Sequence, residues 1–194
     1  MTTTTLTNLK QIQTGDIGLV HSHGFLPEAI QEFQGDEYNH ALIFVWIGHK
    51  LWCFEAIKEG CAFTDFNEYL KKQDAGECSL LVLKPINDEM ARVKYDDFID
   101  FVLPLTHKPY GFFNLLVLQA IKFIGVKLGK LFGKEWDWWL GGKNNTRRFI
   151  CGELVAYIYN HFLKWFPNWY KLAPMFLHIS DKFKHALVDI KPKK

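Results

Sequence analysis

"HALIFVWIGHKLWCFEAI" (40–57) contains two apolar, β-branched and aromatic runs, 40–47 and 51–57, joined by "GHK" at 48–50. Runs of this length and composition around a glycine read as a β-hairpin. Each run holds one residue out of keeping with it. His40 opens the first strand, and Glu55 is the sole charged side chain inside the second. With the hairpin centred near residue 49, Glu55 lies opposite about residue 43, roughly one diagonal step from His40, a gap that twist and a bulge would close. A carboxylate buried there alone would cost on the order of several kcal/mol, and a His40 partner removes that objection. Two readings stay open at this level: a structural ion pair, or part of a functional site.

Outward from the hairpin, "DIGLV" (16–20) follows the turn residues Thr14 and Gly15, and "SLLVLKP" (79–85) ends at a proline; both read as strands. "PEAIQEF" (27–33) and "DFNEYLKK" (65–72), the latter behind a Thr64 cap, read as short helices. In "NDEMARVKYDDFIDFV" (87–102) apolar residues at 90, 93, 98, 101 and 102 follow an acidic first turn, which predicts a helix. Strands followed by helices, without strict alternation, give an α+β class. A chain of 194 residues fills one core well and is short for two, so 1–194 is expected to form a single domain.

Lys and Arg exceed Asp and Glu by only two, partly through the terminal "KPKK", so no global basic field points to a nucleic-acid partner. The start lacks the charged and apolar regions of a secretory signal, and no apolar run reaches the roughly 18 residues of a membrane span. Cys53, Cys61, Cys78 and Cys151 are irregularly spaced with no CxxC pair, which reads as reduced thiols in a cytoplasmic compartment. His21 and His23 have the one ligand-like spacing and read as loop polarity, so no metal is expected. The other histidines show no partner pattern and are expected to be structural or exposed.

"FICGELVAYIY" (149–159) places Cys151 at the opening of an amphipathic helix, with apolar or small residues at 151, 154, 155, 158, 162 and 165/166. The cysteine therefore points inward, and a first-turn position favours its thiolate. By position alone the residue reads as core packing. A nucleophile needs a base within reach and a third group to hold that base, and His40 with Glu55 supplies such a pair.

The order "TGDIGLVHS" (14–22), "YNHALIFV" (38–45), "CFEAI" (53–57), "HKPYGFF" (107–113), "FICGELVAYIY" (149–159) and "LAPMFLHIS" (172–180) resembles the YiiX-type permuted papain-like amidases, a circularly permuted branch related to NlpC-type cysteine peptidases. The resemblance runs from about Gly15 to Asp181. It implies a permuted papain-like fold with an antiparallel sheet packed against helices. It also implies Cys151 as nucleophile, His40 as general base, Glu55 as the group orienting His40, and Tyr110 as an oxyanion donor. Gly152 stands where the family often has serine; its backbone amide can still serve an oxyanion. No cofactor is implied.

The segment 112–140 reads as a basic amphipathic helical insertion. Gln119, Lys122, Lys127, Lys130 and Lys134 share one side of it and seven apolar residues from Val117 to Phe132 the other, with Trp136, Trp138 and Trp139 following. Such a segment either packs its apolar side on the core, its tryptophans walling a substrate pocket, or lies at a membrane surface through 112–139. Arg147 and Arg148, just before the nucleophile, are expected to be solvated or to attract an anionic substrate group. Together these readings predict a cysteine hydrolase acting on an amide bond in a small peptide, such as a cell-wall peptide, or in an acyl-amide. The alternatives are a lipid-directed thiol acyltransferase or hydrolase acting on an acyl-lipid, and a non-catalytic membrane- or partner-binding module on the same scaffold.

Overall fold

The computed structural model describes residues 4–23, 37–111, 146–168, 177–178 and 180–192. Seven strands form one sheet: β1 (Thr4–Leu6), β2 (Ile17–Ser22), β3 (His40–Ile47), β4 (Lys50–Ile57), β5 (Gly60–Asp65), β6 (Cys78–Pro85) and β7 (Phe183–Val188), in the order β1-β7-β6-β2-β3-β4-β5. The helices described are α1 (Phe66–Asp74), α2 (Tyr95–Val102) and α3 (Cys151–Leu163). The class is α+β. The sheet is antiparallel except at one margin, where β1 pairs parallel to β7.

The strands read from composition are all present, and β1, β5 and β7 join them. β5 has only Phe63 and two small residues in its middle, and β7 alternates in "FKHALV" with charged and polar residues, so neither forms a conspicuous apolar run. The helix expected over 87–102 is shorter. Met90–Arg92 is a single 3-10 turn, Val93 and Lys94 are extended, and the α-helix begins at Tyr95. α1 is capped by Asp65, whose carboxylate accepts from the Asn67 N–H at 3.0 Å, and not by Thr64. That frees the Thr64 hydroxyl for another partner. The helix expected at 27–33 and the insertion at 112–140, with Trp136, Trp138 and Trp139, lie outside the described residues.

Strand alternation sorts the sheet into two faces, each with its own core. One face carries Leu19, Ala41, Ile43 and Phe54 and is covered by α3 through Leu154, Val155, Ile158 and Tyr159. The other carries Val20, Leu42, Phe44 and Cys53 and is covered by α1 through Phe66, Tyr69 and Leu70. Tyr159 also fixes α3 lengthwise, because its buried hydroxyl donates to the Gly15 carbonyl at 2.5 Å, at the turn leading into β2. Among the described residues no helix is long and apolar enough to cross a membrane.

Candidate active site

The hairpin closes one residue tighter than composition suggested. Ile47 pairs with Lys50 across a two-residue turn, and Gly48 supplies the positive φ of +62° that such a turn needs. Glu55 is therefore opposite Leu42 and not residue 43. The shift decides the geometry, since a partner at 43 would have set Glu55 and His40 on opposite faces. As it is, they share a face as diagonal neighbours without a bulge, and His40 Nε2 lies 2.5 Å from Glu55 Oε2.

Glu55 is 1% exposed, and its carboxylate is fully engaged. Besides His40, it accepts from the Tyr69 hydroxyl at 2.6 Å and from the Thr64 hydroxyl. Burial alone would raise its pKa. The His40, Thr64 and Tyr69 hydrogen bonds and the imidazolium charge outweigh burial and hold it below the ordinary carboxylate value.

His40 is the first residue of β3; it pairs with Val20 of β2 but lies beyond the last position at which β3 pairs with β4, so its ring stands at a strand end on the β4 side. There it meets the start of α3, which lies over the opposite face. With Nε2 on Glu55, Nδ1 is left for the Cys151 sulfur, with which the ring is hydrogen-bonded. The sulfur also accepts from the backbone N–H groups of Ala41 and Gly152. Burial pushes the thiol up, but the bond and charge of His40 and the two amides bring it below the ordinary cysteine value. For His40, burial acts downward, and the bonds and negative charges of Cys151 and Glu55 together raise it to about 10. Each of these shifts favours the charged form of its group along the Cys151–His40–Glu55 row.

The helix start is built for this. Its cap position is Ile150, which has no side-chain acceptor, so the first N–H groups of α3 are not taken by a capping side chain. One of them, Gly152 N–H, goes to the sulfur. Glu153, 5% exposed, instead reaches back to the Ile150 N–H at 3.1 Å. Burial raises its pKa to about 7 despite that bond.

Tyr110 enters through a short parallel bridge with Phe149; Gly111 N–H donates to Phe149 O at 2.9 Å, and Phe149 N–H to Pro109 O at 3.2 Å. This sets Tyr110 beside the two residues that lead into Cys151. Burial, followed by the charges of Cys151 and Glu153, pushes its phenol above the ordinary value, so it remains a donor. Arg147 and Arg148 are exposed.

The structure therefore brings together Cys151, His40, Glu55, Tyr110 and the Gly152 amide. Sequence reasoning missed Tyr69, Thr64 as a Glu55 partner, Glu153 and the Ala41 amide. For Tyr69 there was a signal: in "FNEYLKK" it shares the inward i, i+3, i+4 face with Phe66 and Leu70, and a buried phenol needs an acceptor. Among the described residues no three His, Cys, Asp or Glu side chains are gathered to hold a metal.

No family model and no curated protein matches the chain. Among solved structures it is similar to the metalloprotein YiiX from Escherichia coli O157:H7, DUF1105. The TM-score is 0.62 at 16% identity, with 90% of this chain and 96% of that chain covered. The chain shares the YiiX-like fold.

Proposed function

We propose that the protein is a cysteine hydrolase that cleaves amide bonds of small peptides or acyl-amides, with Cys151 as nucleophile, His40 as acid and base, and Glu55 holding the His40 tautomer. The observation that carries this reading is the hydrogen-bonded row from Cys151 through His40 to Glu55. A core cysteine needs no such partners, and Cys53, Cys61 and Cys78 are all pushed above the ordinary thiol value. A permuted papain-like descent accounts for the same order of residues along the chain.

In the reaction, the Cys151 thiolate adds to the substrate carbonyl carbon, and the carbonyl π electrons move to oxygen. Tyr110 and a backbone N–H at the start of α3 hold that oxyanion. The imidazolium of His40 gives its proton to the leaving nitrogen as the C–N bond breaks, leaving a thioester on Cys151. Neutral His40 then takes a proton from water as the hydroxide adds. Collapse breaks the C–S bond, releasing the carboxylic acid and restoring the thiolate–imidazolium pair. Glu55 stays ionised throughout and offsets the imidazolium charge.

The E. coli neighbour is called a metalloprotein. At the row described here a cation would find Cys151 Sγ and His40 Nδ1 already bonded to each other, with Nε2 held by Glu55. Glu55 holds the ring nitrogen turned away from the sulfur, so the three side chains do not converge on one cation; among the described residues no three His, Cys, Asp or Glu side chains are gathered to hold a metal, and no step is routed through one.

The test is intact-mass analysis after brief exposure to a p-nitrophenyl ester, a probe of acyl transfer. The expected result is one added acyl group on Cys151, absent in C151A and slow to form in H40A. Full acylation and turnover by C151A would overturn the proposal.

A further inference from the structure

The row does not end at Glu55. Cys151 belongs to a helix on one face of the sheet, whereas Glu55 is buried in the core of the other, under α1. His40 connects the two because it stands at the end of β3. On the α1 side a single oxygen, Glu55 Oε2, takes both His40 Nε2 at 2.5 Å and the Tyr69 hydroxyl at 2.6 Å. Tyr69 is 9% exposed, so this bond is made out of water, where a donor to an anion counts for more. Its position is well fixed: it sits in the middle of α1, its carbonyl accepts from Cys78 Sγ at 3.8 Å, and the Lys72 ammonium lies 5.4 Å from its ring centroid.

We propose that Tyr69 is a positioning residue of the nucleophile, acting across the sheet: its hydroxyl anchors the Glu55 carboxylate, and through His40 sets the thiolate population of Cys151. The proposal rests on the reading of Cys151 as an activated thiol. The groups facing Glu55 are His40 from β3, Thr64 from β5 and Tyr69 from α1, with the Cys53 thiol on its own strand. Tyr69 is the one among them that comes from outside the sheet. Burial and the Glu55 charge keep its phenol protonated across the working range, so it donates and does not titrate. Because Glu55 stays ionised, the coupling works by placement: without the Tyr69 donor the carboxylate is free to turn from His40 Nε2, which weakens the imidazolium and in turn the thiolate. No proton need move through Tyr69 for this coupling.

The test is the pH profile of Cys151 alkylation by iodoacetamide, read by peptide mass, in wild type, Y69F and E55Q, with thermal unfolding of each. In wild type the acid limb should lie well below that of an ordinary thiol. In Y69F it should move up by about one pH unit, with the rate at pH 6 falling about tenfold, the size of one hydrogen bond to a charged group. E55Q should move it further. An unmoved limb in Y69F, with only Tm lowered, would reduce Tyr69 to packing and overturn the inference while leaving Cys151 an activated thiol. An ordinary limb already in wild type would overturn both. Should Y69F fail to fold, 3-fluorotyrosine at 69, which keeps the ring and changes the strength of the donor, should move the limb; no shift there overturns the inference as well.

Discussion

Glu55 and Glu153 are both buried, yet their surroundings drive them in opposite directions. Glu55 has three side-chain donors and sits below its ordinary value; Glu153 has one backbone donor and is raised to about 7. The stability that Glu55 contributes is therefore fully present above its unfolded value near 4.5 and fades as pH falls through its lower native value. Glu153 works the other way: its contribution is present below 4.5 and is lost as pH rises through about 7. E153Q keeps an acceptor for the Ile150 N–H but cannot ionise. Denaturant melts at pH 5 and pH 8 should show wild type losing on the order of 2–3 kcal/mol more than E153Q over that interval. An equal loss would mean that Glu153 is solvated. E55Q should cost about 3 kcal/mol at pH 7, because it leaves a charged His40 without its buried partner, and its acid unfolding should be less steep than that of wild type.

At the scale of elements, the β4–β5 turn holds the loop that carries Tyr110. Cys61 N–H donates to Lys108 O at 2.8 Å and His107 N–H to Cys61 O at 2.8 Å, and Gly60 lies against that same carbonyl. A Cβ at Gly60 would come 2.8 Å from Lys108 O, on a backbone with φ of +115°; one at Gly48 would meet nothing within 4 Å. G60A should therefore cost about 2 kcal/mol and G48A about 1, both read by chemical denaturation, with only G60A slowing acylation of Cys151. Equal costs would show that the 107–110 loop can step aside. The elements also mark what was legible in the sequence. His40 and Glu55 were readable because each breaks the pattern of its apolar strand, whereas Cys151 fits the apolar stripe of its helix and stood out only beside that pair and the order of motifs along the chain. Their mutual geometry was not. One residue of hairpin register decided whether Glu55 faced His40, and composition does not resolve "GHK" into a two-residue turn and a paired Lys50. β1, β5 and β7 were missed because they are short, or small-residue and mixed, and gain their strand conformation from neighbours far away in sequence. The break at Val93 and Lys94 was hidden for a similar reason, since the apolar spacing of 90, 93, 98, 101 and 102 fits a continuous helix as well as a 3-10 turn followed by a shorter one.

Across the whole molecule, the sheet separates two cores and the row crosses between them at one strand end. The nucleophile is thereby coupled to packing on the far face, and the four cysteines become internal standards for one another. All are buried, yet burial dominates at Cys53, at Cys61, which is raised to about 12, and at Cys78, whereas His40 and two amides reverse it at Cys151 alone. The most direct measurement is therefore competitive: iodoacetamide labelling of the native protein at pH 6, with the rate at each cysteine read by peptide mass spectrometry. Cys151 should be labelled at least about tenfold faster than any of the other three, and H40A should remove that preference. Labelling of Cys151 no faster than Cys53, Cys61 and Cys78, with H40A indistinguishable from wild type, would contradict the assignment of Cys151 as an activated nucleophile.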